Sequence, residues 1–527
     1  MQKTGKFKKV LATLVATVSL GTTLGSMAAC GGGGKQTFTD LVIPEGGYDG
    51  SAVTVTFYHT MGQSLTDVLN PYVEKFNEIY PNITIDHKQV GGYDDVRDQI
   101  SKELTAGNQP NMAYCYPDHV ALYNIAGAVA PLDDLIASDI AMTGLEGQIL
   151  GLTDEQVADF IPGYYNEGKA FGDGKMYTLP LYKSTEVLYY DKTFFEGCSK
   201  IYESEILIDL KGNPIYATDK DGNLIVENNQ PKTQRNPNYH NENYQLFVPK
   251  TWEELKTICQ RIKAIDPNCI PLGYDSEANW FITMCEQYGS PYTSSEAGNH
   301  FLFDNEKNHE FVLEFRDWYQ KGYVTTQEIL GSYTSSLFTA QTGTRSYMSI
   351  GSSAGATKQC PTPNDKGEYP FEVGIATIPQ VNPEQPKVIS QGPSLCIFKK
   401  ENPQEVIASW LFMKYLTTTV EFQADLSIAS GYVPVLQSVV NDNFYKAFLN
   451  KANGTNFIAA LSAKTCMDQV EAYYVSPAFK GSSVARDEVG ALMQRCFIES
   501  PELKGDLAKG LIRRAFEDAV EECEYQA

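Results

Sequence analysis

The chain of 527 residues is short of positive charge: 42 lysines and arginines stand against 65 aspartates and glutamates, a formal net charge of −23. A surface that acidic repels nucleic acid and anionic lipid, so no nucleic-acid partner is expected. Histidine is scarce, with six in all. The cysteines form no CxxC pair and no Cys/His cluster, and no HExxH, P-loop or dinucleotide fingerprint occurs. Neither a metal site nor a cofactor is therefore expected. Past the first thirty residues, no apolar run is long enough to span a bilayer.

What is present begins at the N-terminus. Lys3, Lys6, Lys8 and Lys9 form a basic stretch, and Val10 to Leu24 is apolar or small, of signal-peptide rather than membrane-span length. Met27-Ala28-Ala29-Cys30, followed by glycines 31–34, resembles a bacterial lipoprotein signal, with Met27 where that pattern usually has Leu. The expectation is cleavage before Cys30 and lipid on its sulfur, anchoring the protein to the extracellular face of the cell membrane; an ordinary cleaved secretion signal is the alternative. Removing residues 1–29 leaves 498 and makes the net charge −27, because the segment carries four lysines and no acid. That length supports two substantial domains. The ten other cysteines are scattered, Cys259, Cys269 and Cys285 being the closest group. They read as small buried hydrophobes, and spacing assigns no disulfide.

Residues 31–50 read as a Gly-rich flexible tether. Val53-Thr54-Val55-Thr56-Phe57 alternates as a strand. A helix follows, with Leu65, Leu69, Tyr72, Phe76 and Ile79 on one face and Pro81 ending it. Ile83 and Ile85 alternate as a second strand; Asp94 opens a helix carrying Val96, Ile100 and Leu104, closed by Gly107. This order predicts an α/β layered fold with crossover connections. Thr251-Trp252-Glu253-Glu254 and Asn402-Pro403-Gln404-Glu405 read as capping boxes. Trp252, Trp318 and Trp410 lie on amphipathic helices and read as core. Residues 200–246 look like a β-rich insertion, because Gly212-Asn213 and Gly222-Asn223 recur ten residues apart between strand-like runs. Asp219, Asp221 and Asn223 hint at a calcium loop, but Gly222 is misplaced for an EF-hand and no bidentate Glu follows at the required distance. A hairpin turn is the better reading.

Eight short blocks then occur in one order: Phe57-Tyr58-His59-Thr60-Met61; Gly92-Tyr93; residues 106–110; Leu179-Pro180 with residues 184–190; residues 249–254; Met348 to Ser353; Gln391-Gly392-Pro393-Ser394; and Gly431-Tyr432-Val433-Pro434. In this order the chain resembles the family 1 extracellular solute-binding proteins of bacterial ABC importers, the group that holds the maltose-binding protein, and within it the glycerol-3-phosphate-binding members. The resemblance implies a two-lobed periplasmic-binding-protein-like fold of type II, with crossing strands around a ligand cleft. The N-terminal lobe would be 51–182 plus 371–417 and the C-terminal lobe 183–370 plus 418–527, with crossings near Ser184, Phe371 and Thr417. It implies a monomer that captures a small-molecule solute by hinge closure and hands it to ABC permease subunits.

Carried over residue by residue, the resemblance places solute contacts at Tyr93, Ser184, Ser352 or Ser353, Gly392 and Tyr432. An acidic contact expected near Tyr116 shifts to Asp118. The family's phosphate-binding Arg has no match at residues 480–483, where Arg486 is close and a helix start could hold an anion. Two further candidates rest on chemistry. Trp280 lies in a stretch of weak amphipathicity, and either stacks on a sugar face or packs in the core. His59, at the end of the first strand, either faces the cleft or bonds to nearby backbone. The solute is read as a mono- or oligosaccharide in preference to glycerol-3-phosphate, because the acidic chain disfavours a phosphorylated ligand. An enzyme is the rival class, since Gly351-Ser352-Ser353-Ala354-Gly355 matches G-x-S-x-G. In the matching hydrolases the histidine follows the serine, whereas His59, His87, His119, His240, His300 and His309 all precede Ser353. Carboxylate pairs of a surface glycoside hydrolase carry no motif to test. A surface adhesin or chemosensor of the same fold is the other alternative.

Overall fold

The computed structural model describes residues 38–296, 298–454 and 456–527. The expected signal segment, Cys30 and the start of the tether lie outside them. In chain order the strands are β1 (Val53–His59), β2 (Ile83–Gln89), β3 (Met112–Cys115), β4 (Leu179–Pro180), β5 (Glu186–Asp191), β6 (Val226–Glu227), β7 (Gln230–Pro231), β8 (Leu272–Tyr274), β9 (Val324–Thr326), β10 (Met348–Ser352), β11 (Val373–Thr377), β12 (Val388–Ile389), β13 (Ser394–Ile397) and β14 (Tyr473–Tyr474). The helices that build and support the site are α1 (Gln63–Ile79), α2 (Tyr93–Ala106), α3 (Pro117–Tyr123), α4 (Glu277–Tyr288), α5 (Pro403–Thr418), α6 (Val420–Ile428), α7 (Ile458–Met467) and α8 (Ser482–Ile498).

Two five-stranded sheets carry the two lobes, in the orders β2-β1-β3-β13-β4 and β11-β5-β10-β8-β9. In the first, β1 runs parallel to β2 and β3, and β13 antiparallel to β3 and β4. Helices supply the parallel crossovers, as the alternation of patterns requires. The apolar face of α1 buries Leu69, Tyr72 and Phe76 at the 3.6-residue period read from the sequence. In the second sheet β5 is antiparallel to β10 and β11, and β8 is parallel to β10 and β9. Each sheet anchors a large apolar cluster; Trp410 belongs to the first, and Trp252, Trp280 and Trp318 to the second.

The chain passes between the sheets just after β4, where Lys183 pairs with Val433 and Ser184 with Gln391 as isolated antiparallel bridges. Three segments therefore lie side by side at the waist. Gly392 is held there at φ +93°, and a Cβ on it would fall 2.6 Å from the Tyr182 carbonyl oxygen. Only glycine lets the strands approach that closely.

The structure differs from the expected lobe boundaries in two places. The return expected near Phe371 comes later, because Val373–Thr377 forms β11 and pairs with β5 in the second sheet. The crossing expected near Thr417 also comes later. Thr417 and Thr418 are the last residues of α5, and with Thr419 they return their hydroxyls to the carbonyls four residues back, so this segment closes a helix and is not a linker. α6 then packs on α1, and further along the chain α7 packs on β11 and β5. The tether also ends earlier than read: Lys399 Nζ holds Asp40 Oδ1 at 2.7 Å, Gln404 bonds Gly47, and Leu41, Ile43 and Tyr48 pack on the first core. At α5 the cap is partial. Asn402 accepts from the Gln404 amide, but the Glu405 carboxylate takes Asn111 Nδ2 at 3.0 Å rather than turning back.

The insertion is β-rich, with β6 and β7 as its hairpin. Asp219 Oδ1 accepts the amides of Asp221 and Asn223, which is a turn cap and not a calcium loop. Among the described residues no group of acids, histidines and cysteines is placed to hold a metal ion. The ten cysteines outside the N-terminal segment are free thiols, and all but Cys360 are buried.

Candidate functional site

Strand ends and helix starts from both lobes converge on a cavity of about 210 Å³ at the waist. The first lobe contributes Tyr93 at the start of α2, and Tyr116, Asp118 and His119 where β3 turns into α3. Pro117 occupies the first position of α3, where a missing amide hydrogen costs nothing. Tyr93 and Tyr116 overlap with ring centroids 4.6 Å apart and form an aromatic wall. The second lobe contributes Asn279 from the first turn of α4, which Ser276 caps, then Tyr292 and Thr293, and finally Ser482 and Arg486 from α8. Gly481 starts α8 at φ +99°, and a Cβ there would lie 2.8 Å from Ala527 and 3.1 Å from Phe301. The waist itself contributes Glu167, Ser390, Gln391 and Ser476.

The charges in this cavity are paired. Arg486 Nη1 donates to Asn279 Oδ1 at 2.6 Å, and its Nε lies 3.5 Å from Asp118 Oδ2 across the cleft. Burial would raise the Asp118 carboxyl, but His119 and Arg486, with the His119 amide, outweigh it and hold the group below its ordinary value. Burial likewise opposes the Arg486 charge, and Asp118 more than offsets it. Glu167 and Lys183 form a second pair at 2.8 Å, with both side chains buried, and Ser390 Oγ donates to the other Glu167 oxygen at 2.9 Å. Behind Asn279, burial pushes the Glu186 carboxyl up to about 7, while Tyr274 OH donates to it at 2.6 Å.

The neutral groups are not all paired. Tyr93 OH, His119 Nδ1, Tyr292 OH, Thr293 Oγ1, Gln391 Oε1 and Ser476 Oγ are buried and have no hydrogen-bond partner, and all six belong to residues that line this cavity. Buried polar groups are nearly always satisfied, since each unpaired one costs about 1–3 kcal/mol. A concentration of them around one cavity marks a place where another molecule's donors and acceptors belong.

Of the residues read from the sequence, Tyr93, Asp118 and Arg486 line the cavity. Ser184, Ser352, Ser353, Gly392 and Tyr432 lie along the crossing segments beside it. Ser352 Oγ reaches Ser184 Oγ at 3.4 Å, and Tyr432 packs on Tyr182 at 4.2 Å. Ser353 is fully buried, its Oγ accepting the Thr185 amide at 3.3 Å, so it ties strands together instead of facing solute. Two candidates move to the core. Trp280 is fully buried, stacked on Tyr274 at 4.8 Å and against Phe315 at 4.2 Å, because α4 turns it inward while its neighbour Asn279 faces the cavity. His59 is buried at the end of β1. Its Nδ1 accepts the Met61 amide at 3.1 Å, which leaves Nε2–H to donate to His87 Nδ1 at 3.0 Å. Tyr116, His119, Glu167, Asn279, Tyr292, Gln391 and Ser476 were missed. The available signal was position, since helix starts after buried strands are where α/β sheets place ligands.

A family described as bacterial extracellular solute-binding protein matches residues 71–452. Among curated proteins no sequence matches the chain. Solved structures share the fold. The cyclic alpha-maltosyl-1,6-maltose binding protein from Arthrobacter globiformis is 16% identical, with 89% of this chain and 100% of that one covered at a TM-score of 0.59. UgpB from Mycobacterium tuberculosis in complex with glycerophosphocholine is 14% identical over 90% and 99% of the two chains, at 0.63. An ABC substrate-binding protein from Listeria monocytogenes in complex with cycloalternan is 12% identical over 89% and 99%, at 0.62.

Proposed function

We propose, from the premise that this chain belongs to the bacterial extracellular solute-binding proteins, that it captures a neutral mono- or oligosaccharide in the waist cavity and delivers it to the permease of an ABC importer. It is a binding protein and not an enzyme. The observation that carries the ligand class is the set of six unpartnered polar atoms, four hydroxyls with an amide oxygen and an imidazole nitrogen. Sugar hydroxyls both donate and accept, and the Tyr93–Tyr116 wall suits the C–H face of a ring. A phosphorylated solute finds less, because the cavity's arginine is already faced by Asp118 and bonded to Asn279, with Asp94 and Glu167 also on the lining.

The second reading is glycerol-3-phosphate or a glycerophosphodiester, favoured by Arg486 standing one turn into α8 beside Ser482. A thermal-shift panel of neutral sugars, polyols and glycerol phosphates separates the two. A solute at a hundredfold its dissociation constant adds about 2.7 kcal/mol of stability. Stabilisation by neutral sugars supports the first reading, and stabilisation by the phosphates alone overturns it. Attachment through lipid on Cys30 is part of the proposal, supported by the sequence before it. A Cys30→Ala variant that stays in the salt-washed membrane fraction would contradict that attachment.

A further inference from the structure

The first two turns of α8 carry more than the cavity's arginine. Residue 486 turns inward, while residues 483 and 487 face α2 of the other lobe. Arg97 Nη1 lies 3.1 Å from Asp487 Oδ2 and 3.1 Å from Ser483 Oγ. The guanidinium is flanked on its own helix by Asp98 at 2.9 Å and Asp94 at 3.3 Å, which fix its direction. The Arg97 side chain is only 14% exposed, so its charge is largely removed from water by the apposed helix, whereas Asp487 is half exposed. With Arg486 and Asp118, three polar contacts join α8 to α2 and α3 across the cleft. None of them needs a solute, and neither Arg97 nor Asp487 lines the cavity.

We infer that Arg97 and Asp487 are a latch that sets the closing equilibrium of the empty protein, and so determine its affinity without touching the solute. The inference uses the two-lobed cleft and is independent of which solute it takes. Arg97 stands on one lobe and Asp487 and Ser483 on the other, so opening must break both Arg97 contacts and leave the guanidinium with its own acidic neighbours. A binding protein whose competent form is only a fraction of the population shows an affinity lowered by that fraction. An electrostatic latch therefore raises affinity by enlarging the closed fraction, and salt weakens it because one partner is solvated.

The test uses the full chain with no solute. Pulsed electron resonance measures the distance between spin labels on Glu78→Cys and Glu306→Cys, exposed positions of the two lobes, the native thiols of the described residues being mostly buried. Arg97→Gln and Asp487→Asn should each shift the closed-to-open ratio toward open by roughly two- to fivefold, the range of partly exposed ion pairs. The double variant should open no further than Arg97→Gln alone, because that change already removes the contact Asp487 shares with it. Molar salt should open the wild type more than it opens Arg97→Gln, in which only the Arg486–Asp118 pair remains to be screened. Identical distance distributions in all four proteins, or additive shifts with equal salt responses, would overturn the latch. Sugar binding by a protein with no latch would leave the solute reading intact.

Discussion

At the scale of single residues, the neighbours Asn279 and Trp280 show what a side chain's direction decides. Both sit in the first turn of α4, yet Asn279 holds Arg486 in the cavity and Trp280 fills the second core. Trp280→Ala should cost about 3–5 kcal/mol of stability in urea unfolding while leaving affinity for a stabilising solute unchanged. Weakened binding with unaltered stability would return the ring to the cleft. His59 offers a test in pH. Burial, with a smaller contribution from His87, pushes its imidazole down to about 4. The unfolded ring takes a proton below about 6.5, so from there down to about 4 acid favours the unfolded chain and stability falls. The loss from this one group reaches about 2.5 kcal/mol near pH 4.5. His59→Asn keeps an acceptor for the Met61 amide and has no proton to gain, so its stability difference between pH 7 and about 4.5 should be smaller than the wild type's by that amount. Equal acid sensitivity in the two proteins would contradict the assignment.

At the scale of elements, the waist is where sequence and structure part. The strands and helices around β1 and α2 were legible because their apolar residues repeat at periods of 2 and 3.6 against one core. Tyr93 stood in one of the ordered blocks, whereas Asp118 and Arg486 were named as neighbours of family positions that this sequence does not match; all three line the cavity. Trp280 was not legible, because α4 is buried nearly all round and shows little amphipathic contrast. The crossing near Thr417 rested on the resemblance and not on the residues themselves, and the structure shows the hydroxyls of Thr417, Thr418 and Thr419 bonded back to helix carbonyls. Glu167 gave no signal at all, since its importance lies in Lys183, a partner from a different segment. Lys183→Met should leave Glu167 charged and buried alone, costing about 3–5 kcal/mol, and adding Glu167→Gln should recover much of that. Thermal or urea unfolding of the single and double variants checks it; a single variant as stable as wild type would show that the pair does not bind the waist together.

At the scale of the whole molecule, the proposal takes the two lobes, the paired charges and the unpaired hydroxyls as one device, a cleft that closes on a neutral polar solute. Its net charge and its occupied arginine point the same way. The measurement that bears on this most directly is calorimetric titration of a neutral oligosaccharide and of glycerol-3-phosphate into the wild type and Arg486→Ala, at low and high salt. The account predicts sugar binding in the wild type that salt barely changes and that survives in the variant. Tight binding of glycerol-3-phosphate that weakens with salt, and that Arg486→Ala reduces by about 1.5–3 kcal/mol, would contradict it.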